Sequence, residues 1–114
     1  MDATSDKPHL RSSPRFTVTS KSSIFYEDKM YAAMVQDLSD GGMLLMCHRD
    51  FDQGTIFGVH LNLSPGVSVD CEVEVRNRSE MGIGVKIDYM DDQNRKLYQA
   101  YLQEILSHQL NKLG

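Results

Sequence analysis

The chain of 114 residues has no tryptophan, two cysteines and three prolines. Two cysteines, Cys47 and Cys71, do not make a disulfide framework, and they suit a reducing compartment. Neither sits in a C-x-x-C pair. The four histidines, His9, His48, His60 and His108, show no H-x-x-x-H spacing, so a zinc centre is not expected. No apolar run approaches membrane-spanning length, and the polar opening MDATSDKPHLRSSPRF lacks the hydrophobic stretch of a secretory signal. These absences predict a soluble cytoplasmic protein without membrane insertion. No arrangement of nucleophile, base and acid stands out, so the chain is not read as an enzyme.

A general excess of basic residues is also missing. The formal net charge is −4, which argues against a protein that coats a nucleic acid polymer. The charge is unevenly spread. Lys7, Arg11, Arg15 and Lys21 fall within residues 7–26 without a single acid, and the remainder of the chain is acidic. A local basic patch of this size suits a small anionic ligand.

What the sequence does have is alternation. Residues 55–63 set Phe57, Val59, Leu61 and Leu63 on one face. Residues 67–75 do the same with Val67, Val69, Cys71, Val73 and Val75, and residues 80–89 with Ile83, Val85, Ile87 and Tyr89. Period-two alternation marks half-buried antiparallel strands. Residues 15–20, a hairpin over 22–38 turned at Glu27-Asp28-Lys29, and residues 41–47 supply further strand segments, and Ser64-Pro65-Gly66 is a turn. The period then changes. Leu97, Tyr98, Tyr101, Leu102, Ile105, Leu106 and Leu110 follow helical spacing over residues 92–112, behind Asp91 and Asp92 as N-terminal signals. The predicted fold is mainly β: a small six-stranded antiparallel β-barrel with one C-terminal amphipathic α-helix. Two regions are expected, a flexible basic leader over 1–14 and the barrel with its helix over 15–114.

Two short stretches carry the chemistry. "RSSPR" holds Arg11 and Arg15 four apart, and Pro14 forbids the helix on which that spacing would share a face. The pair therefore lies on an extended or turned segment and can take one object from two sides. A guanidinium fork matches phosphate, carboxylate or the O6/N7 edge of guanine. "DLSDGG" at 37–42 places Asp37 and Ser39 at alternate positions, where acceptors suit the donor-rich edge of a guanine. Gly41 and Gly42 would allow positive φ and a close approach of backbone to ligand. Each stretch alone is also ordinary loop chemistry.

Taken in order, R-x-x-x-R (Arg11, Arg15) ahead of the first strand and D-x-S-x-x-G (Asp37, Ser39, Gly42) about two strands later resemble the PilZ domain family. The apolar strand after Gly42 and the Gly82-Ile83-Gly84-Val85 segment agree with it, and the resemblance spans about residues 9–106. It implies a receptor for the bacterial second messenger cyclic di-GMP that regulates an unidentified effector protein. The ligand-binding set it implies is Arg11, Arg15, Asp37, Ser39, Gly41 and Gly42, with Lys7, Arg76 and Gly84 as outlying candidates and no cofactor or metal. In the family that the chain resembles, the residue just before the first arginine bears on whether one ligand or a stacked pair is held; here it is uncharged Leu10, which leans toward one molecule and leaves the number open. The alternative is a PilZ-type adaptor that works through protein contacts and ignores the nucleotide.

Overall fold

The computed structural model describes residues 15–113, with side chains described to residue 108. The expected leader, with Lys7 and Arg11, lies outside the described residues. Six antiparallel strands form a closed barrel: β1 (Phe16–Tyr26), β2 (Lys29–Leu38), β3 (Gly42–Cys47), β4 (Ile56–Ser64), β5 (Val67–Ser79) and β6 (Gly82–Tyr89). Their order around the barrel is β1-β2-β3-β6-β5-β4. Helix α1 (Asp92–Leu113) follows β6 directly and packs on β5.

The inward row of each strand makes the core. On β5, Val69, Val73 and Val75 are completely buried, and Ile24, Leu45, Val59 and Leu61 face them from other strands. Burying each such side chain contributes about 1.5–3 kcal/mol, so the alternation read from the sequence is also the main source of stability. The β1–β2 hairpin turns through Glu27 (φ 50°) and Asp28 (φ 64°), the two left-handed positions a tight hairpin needs. At the same end of the barrel Phe51 meets Tyr26 and Tyr31 edge-on and touches Phe57, with the Arg49 guanidinium 4.8 Å from the Phe51 ring centre. This aromatic plug closes the end away from the helix.

Three sequence expectations are corrected by β-bulges and by packing. Residues 15–20 and 22–26, which read as separate segments, form the single strand β1, with pairing irregular only between Thr17 and Ser20. Tyr89, expected inside, is exposed, because β6 carries an extra residue at Asp88 and the alternation slips; Met90 takes the inward place. The helix stripe is narrower than its spacing suggests. Tyr98 and Leu102 are buried, Tyr101, Ile105 and Leu106 are half-buried, and Leu97 is exposed.

Asp91 caps α1 as expected: its carboxylate accepts from the Asn94 backbone N–H at 2.8 Å and from the Asn94 side-chain amide at 2.9 Å. Those bonds hold the Asp91 carboxyl below its ordinary value.

Cys71 shows what the core does to chemistry. Burial first, and Asp70 beside it second, push its thiol from an ordinary 9.0 up to about 12. Only the unfolded chain then forms a Cys71 thiolate between these values, so the unfolded state binds fewer protons there. Stability is fully present below about pH 9 and is lost as pH rises through that window, at up to about 1.4 kcal/mol per pH unit. Tyr98 and Tyr101, both raised by burial, act in the same direction above pH 10.0. The melting temperature should therefore hold steady to about pH 9 and fall beyond it. At pH 8, iodoacetamide followed by mass spectrometry should mark half-buried Cys47 and spare Cys71 until urea is added. Equal labelling of both in the native protein would contradict the closed barrel.

Candidate functional site

β2 runs toward the site with Ala33 and Val35 facing inward. Strict alternation would then bury Asp37 and expose Leu38. Instead Gln36 is an extra residue against β3, where Val35 pairs with Leu45 and Asp37 with Leu44. The bulge turns Asp37 outward, and Leu38 is buried. Arg15, at the start of β1, reaches Asp37 from the neighbouring strand: Nη2 donates to Oδ1 at 2.6 Å. The structure thus joins one residue from each of the two motifs directly.

Beyond Leu38 the chain turns. The Ser39 N–H donates to the Gly42 carbonyl at 2.9 Å, and the Ser39 hydroxyl donates to the same oxygen at 3.3 Å. Ser39 is buried, and its hydroxyl is engaged within the turn while its oxygen can still accept. Neither Gly41 nor Gly42 adopts positive φ, so that expectation is corrected. The close approach at Gly42 is real but is made to the protein. A Cβ there would run into the carbonyl oxygen of Val85 on β6. A Cβ on Gly41 would meet nothing.

A groove of about 410 Å³ opens over the outer face of β3, β6 and β5. Arg15, Ser39, Gly41, Gly42, Arg76, Asn77, Gly84 and Lys86 are among the residues lining it. Its floor is low because one member of each cross-strand pair there is a glycine: Gly42 lies opposite Lys86, and Gly84 opposite Leu44. A Cβ on Gly84 would come within 2.6 Å of the Asn77 Oδ1 atom. Arg76 points outward by simple alternation after buried Val75, and the bulge that pairs Val75 with Val85 and Asn77 with Gly84 keeps Asn77 on the outer face as well. Lys86 is exposed, with its ammonium 3.6 Å from Asp88. Three cationic side chains therefore surround a shallow, polar hollow. The chemistry of such a place suits an anion whose charge meets guanidinium forks. A larger hollow of about 670 Å³ lies over β1–β3, but Ala32, Met34, Met46 and Cys47 line much of it and Lys21 is its one Arg or Lys.

A model of the PilZ domain matches residues 9–104. The chain belongs to the PilZ domain family. Among solved structures, that of the Bacillus subtilis inhibitor of motility (MotI/DgrA) is similar, with a TM-score of 0.70 and 18% sequence identity over 90% of this chain and 52% of that one. The PilZ chain described here thus spans about half the length of that neighbour, and at this identity the likeness is one of fold. A search of curated proteins finds no match.

Of the residues the PilZ motifs single out, Arg15, Ser39, Gly41 and Gly42 line one groove, Asp37 joins it through Arg15, and Arg11 lies outside the described residues. The outlying candidates Arg76 and Gly84 fall on the same wall, whereas Lys7 is not described. Asn77 and Lys86 complete the wall and were not singled out by sequence. Lys86 sat two residues beyond Gly84 on the polar face of β6, a legible signal once β6 was placed beside β3. Asn77 depends on the β5 bulge, which leaves no sequence mark. Among the described residues no three His, Cys, Asp or Glu side chains gather to hold a metal ion, and no helix is long and apolar enough to cross a membrane.

Proposed function

We propose that this PilZ chain is a cyclic di-GMP receptor that regulates a partner protein in bacterial signalling. The observation that carries the reading is the Arg15–Asp37 contact at the rim of a polar groove walled by Ser39, Gly41, Gly42, Arg76 and Lys86. Arg15, with Arg11 from the same motif, supplies forked donors to phosphate and to guanine O6/N7. Asp37 and the Ser39 oxygen accept from a guanine N1–H and N2–H₂ edge. The bare backbone at Gly41 and Gly42 takes a base or sugar face. Lys86 and Arg76 offset the second phosphate. Capture through Arg11 changes the state of residues 1–14 and so the surface a partner meets.

Calorimetric titration with cyclic di-GMP tests this. Binding in the micromolar range or tighter is expected, which corresponds to about −8 kcal/mol or better. On binding, amides of residues 7–15 should exchange more slowly. An absence of heat at saturating nucleotide would reject the receptor reading and favour an adaptor that works through protein contacts alone. Unaltered exchange at residues 7–15 despite binding would reject the leader response.

A further inference from the structure

The turn that carries Ser39 is held from behind. Its three successive carbonyls each accept a hydrogen bond from the body of the protein. The Ser39 carbonyl takes the Tyr98 hydroxyl at 2.5 Å, the Asp40 carbonyl takes Arg95 Nη1 at 3.2 Å, and the Gly41 carbonyl takes the Ile87 backbone N–H at 2.8 Å. Two of the three donors come from α1, three residues apart and so on one helix face. Ser39 and Gly41 meanwhile line the groove on their other side. The turn is a thin wall between the candidate ligand and the helix.

Tyr98 is completely buried. A phenylalanine would fill its place equally well, so the ring explains packing and the hydroxyl needs a separate reason. Its described partner is the Ser39 carbonyl. Burial, with Cys71 and Asp40 nearby, raises the phenol above its ordinary value, so it stays a donor at any physiological pH. Arg95 reaches past Tyr98 to the next carbonyl and fixes the turn at a second point.

We infer that Tyr98 and Arg95 are positioning residues for the nucleotide-binding turn, and that α1 is thereby the element through which occupancy of the groove is transmitted. The inference rests on the receptor reading above. It follows from geometry: a ligand that seats Asp37 and Ser39 fixes the carbonyls behind them, and those carbonyls hold α1. Coupling of this kind is reciprocal. A partner that grips α1 in its ligand-bound position tightens nucleotide binding by the same factor that the nucleotide tightens the partner.

The test compares the full chain with Tyr98→Phe and Arg95→Gln, using cyclic di-GMP calorimetry and amide exchange. Each variant should weaken binding about 5- to 20-fold, the effect of one lost hydrogen bond of ordinary to charge-assisted strength, while circular dichroism is unchanged. In the unaltered chain, amides of residues 98–106 should gain protection on binding. In Tyr98→Phe that gain should vanish even at saturating nucleotide, a loss that a merely structural role would not produce. If Tyr98→Phe fails to fold, Arg95→Gln alone decides. Variants that bind as tightly as the parent and protect α1 equally would overturn the inference and leave the receptor reading standing. A parent chain that binds no nucleotide would overturn both.

Discussion

Gly42→Ala should cost about 2–3 kcal/mol of folding stability and weaken nucleotide binding at least tenfold, whereas Gly41→Ala, one residue away, should change stability by less than about 0.5 kcal/mol. The difference lies in what the new methyl meets. At Gly42 it meets the Val85 carbonyl oxygen, a backbone atom with no torsion that can swing it aside. Val85 itself is buried in the core and paired with Met43 and Val75, so β6 cannot retreat without opening two ladders. The strain is relieved by moving the chain at residue 42, which breaks the Ser39–Gly42 hydrogen bonds that close the turn. Overpacking in a well-filled region costs about 1–3 kcal/mol, and a broken turn bond adds to it. Against a total stability of about 5–15 kcal/mol for a domain of this kind, the loss is large. At Gly41 the methyl meets nothing and φ is not positive, so alanine fits. Urea unfolding of both variants with unchanged slope would measure the difference directly. Equal midpoints for the two would show that β3 and β6 approach less closely than described.

The same glycine shows how much the sequence can tell. Its position in D-x-S-x-x-G marked it as special, and the ligand was the natural reason. The structure gives another one: the residue is small so that β6 can pass. Period-two patterns placed most of the core correctly, because burial of alternate residues leaves a direct trace in residue type. The same patterns failed at Tyr89, and would have failed at Asp37, for one reason. A bulge adds a residue to one strand and reverses every side chain after it, and any residue type can occupy it. Three of these bulges, at Gln36, Arg76 and Asp88, lie in β2, β5 and β6, and the first two turn Asp37 and Asn77 outward toward the site. The strands of the barrel were therefore more legible than the irregularities that shape its groove. Tyr98 was legible as a core residue of α1. Its bond to Ser39 was not, because 59 residues separate the partners and nothing local predicts the contact.

Arg15→Ala should reduce cyclic di-GMP binding about 100-fold or more while leaving stability within about 1 kcal/mol of the parent. The two halves of that expectation come from the two states of one side chain. Without ligand, Arg15 holds Asp37 at 2.6 Å, but its side chain is 39% exposed and that of Asp37 is 22% exposed. Water competes for both, and exposed ion pairs contribute about 0–1 kcal/mol. In the proposed complex the guanidinium would lie between Asp37 and an anion, where solvent is displaced and its forked donors meet two acceptors together. Truncation then leaves a charged ligand oxygen without its donor, at about 2–5 kcal/mol. Asp37→Ala should behave differently: it removes an acceptor and also releases Arg15 from its resting partner, so its loss of affinity should be smaller than that of Arg15→Ala. A double-mutant cycle between the two positions, read by calorimetry, isolates their coupling. Strong coupling in the liganded state and weak coupling in urea unfolding would mean that the ion pair serves the site and not the fold. The reverse pattern, with stability lost and affinity kept, would make Arg15–Asp37 a structural latch and remove the main support for the nucleotide reading.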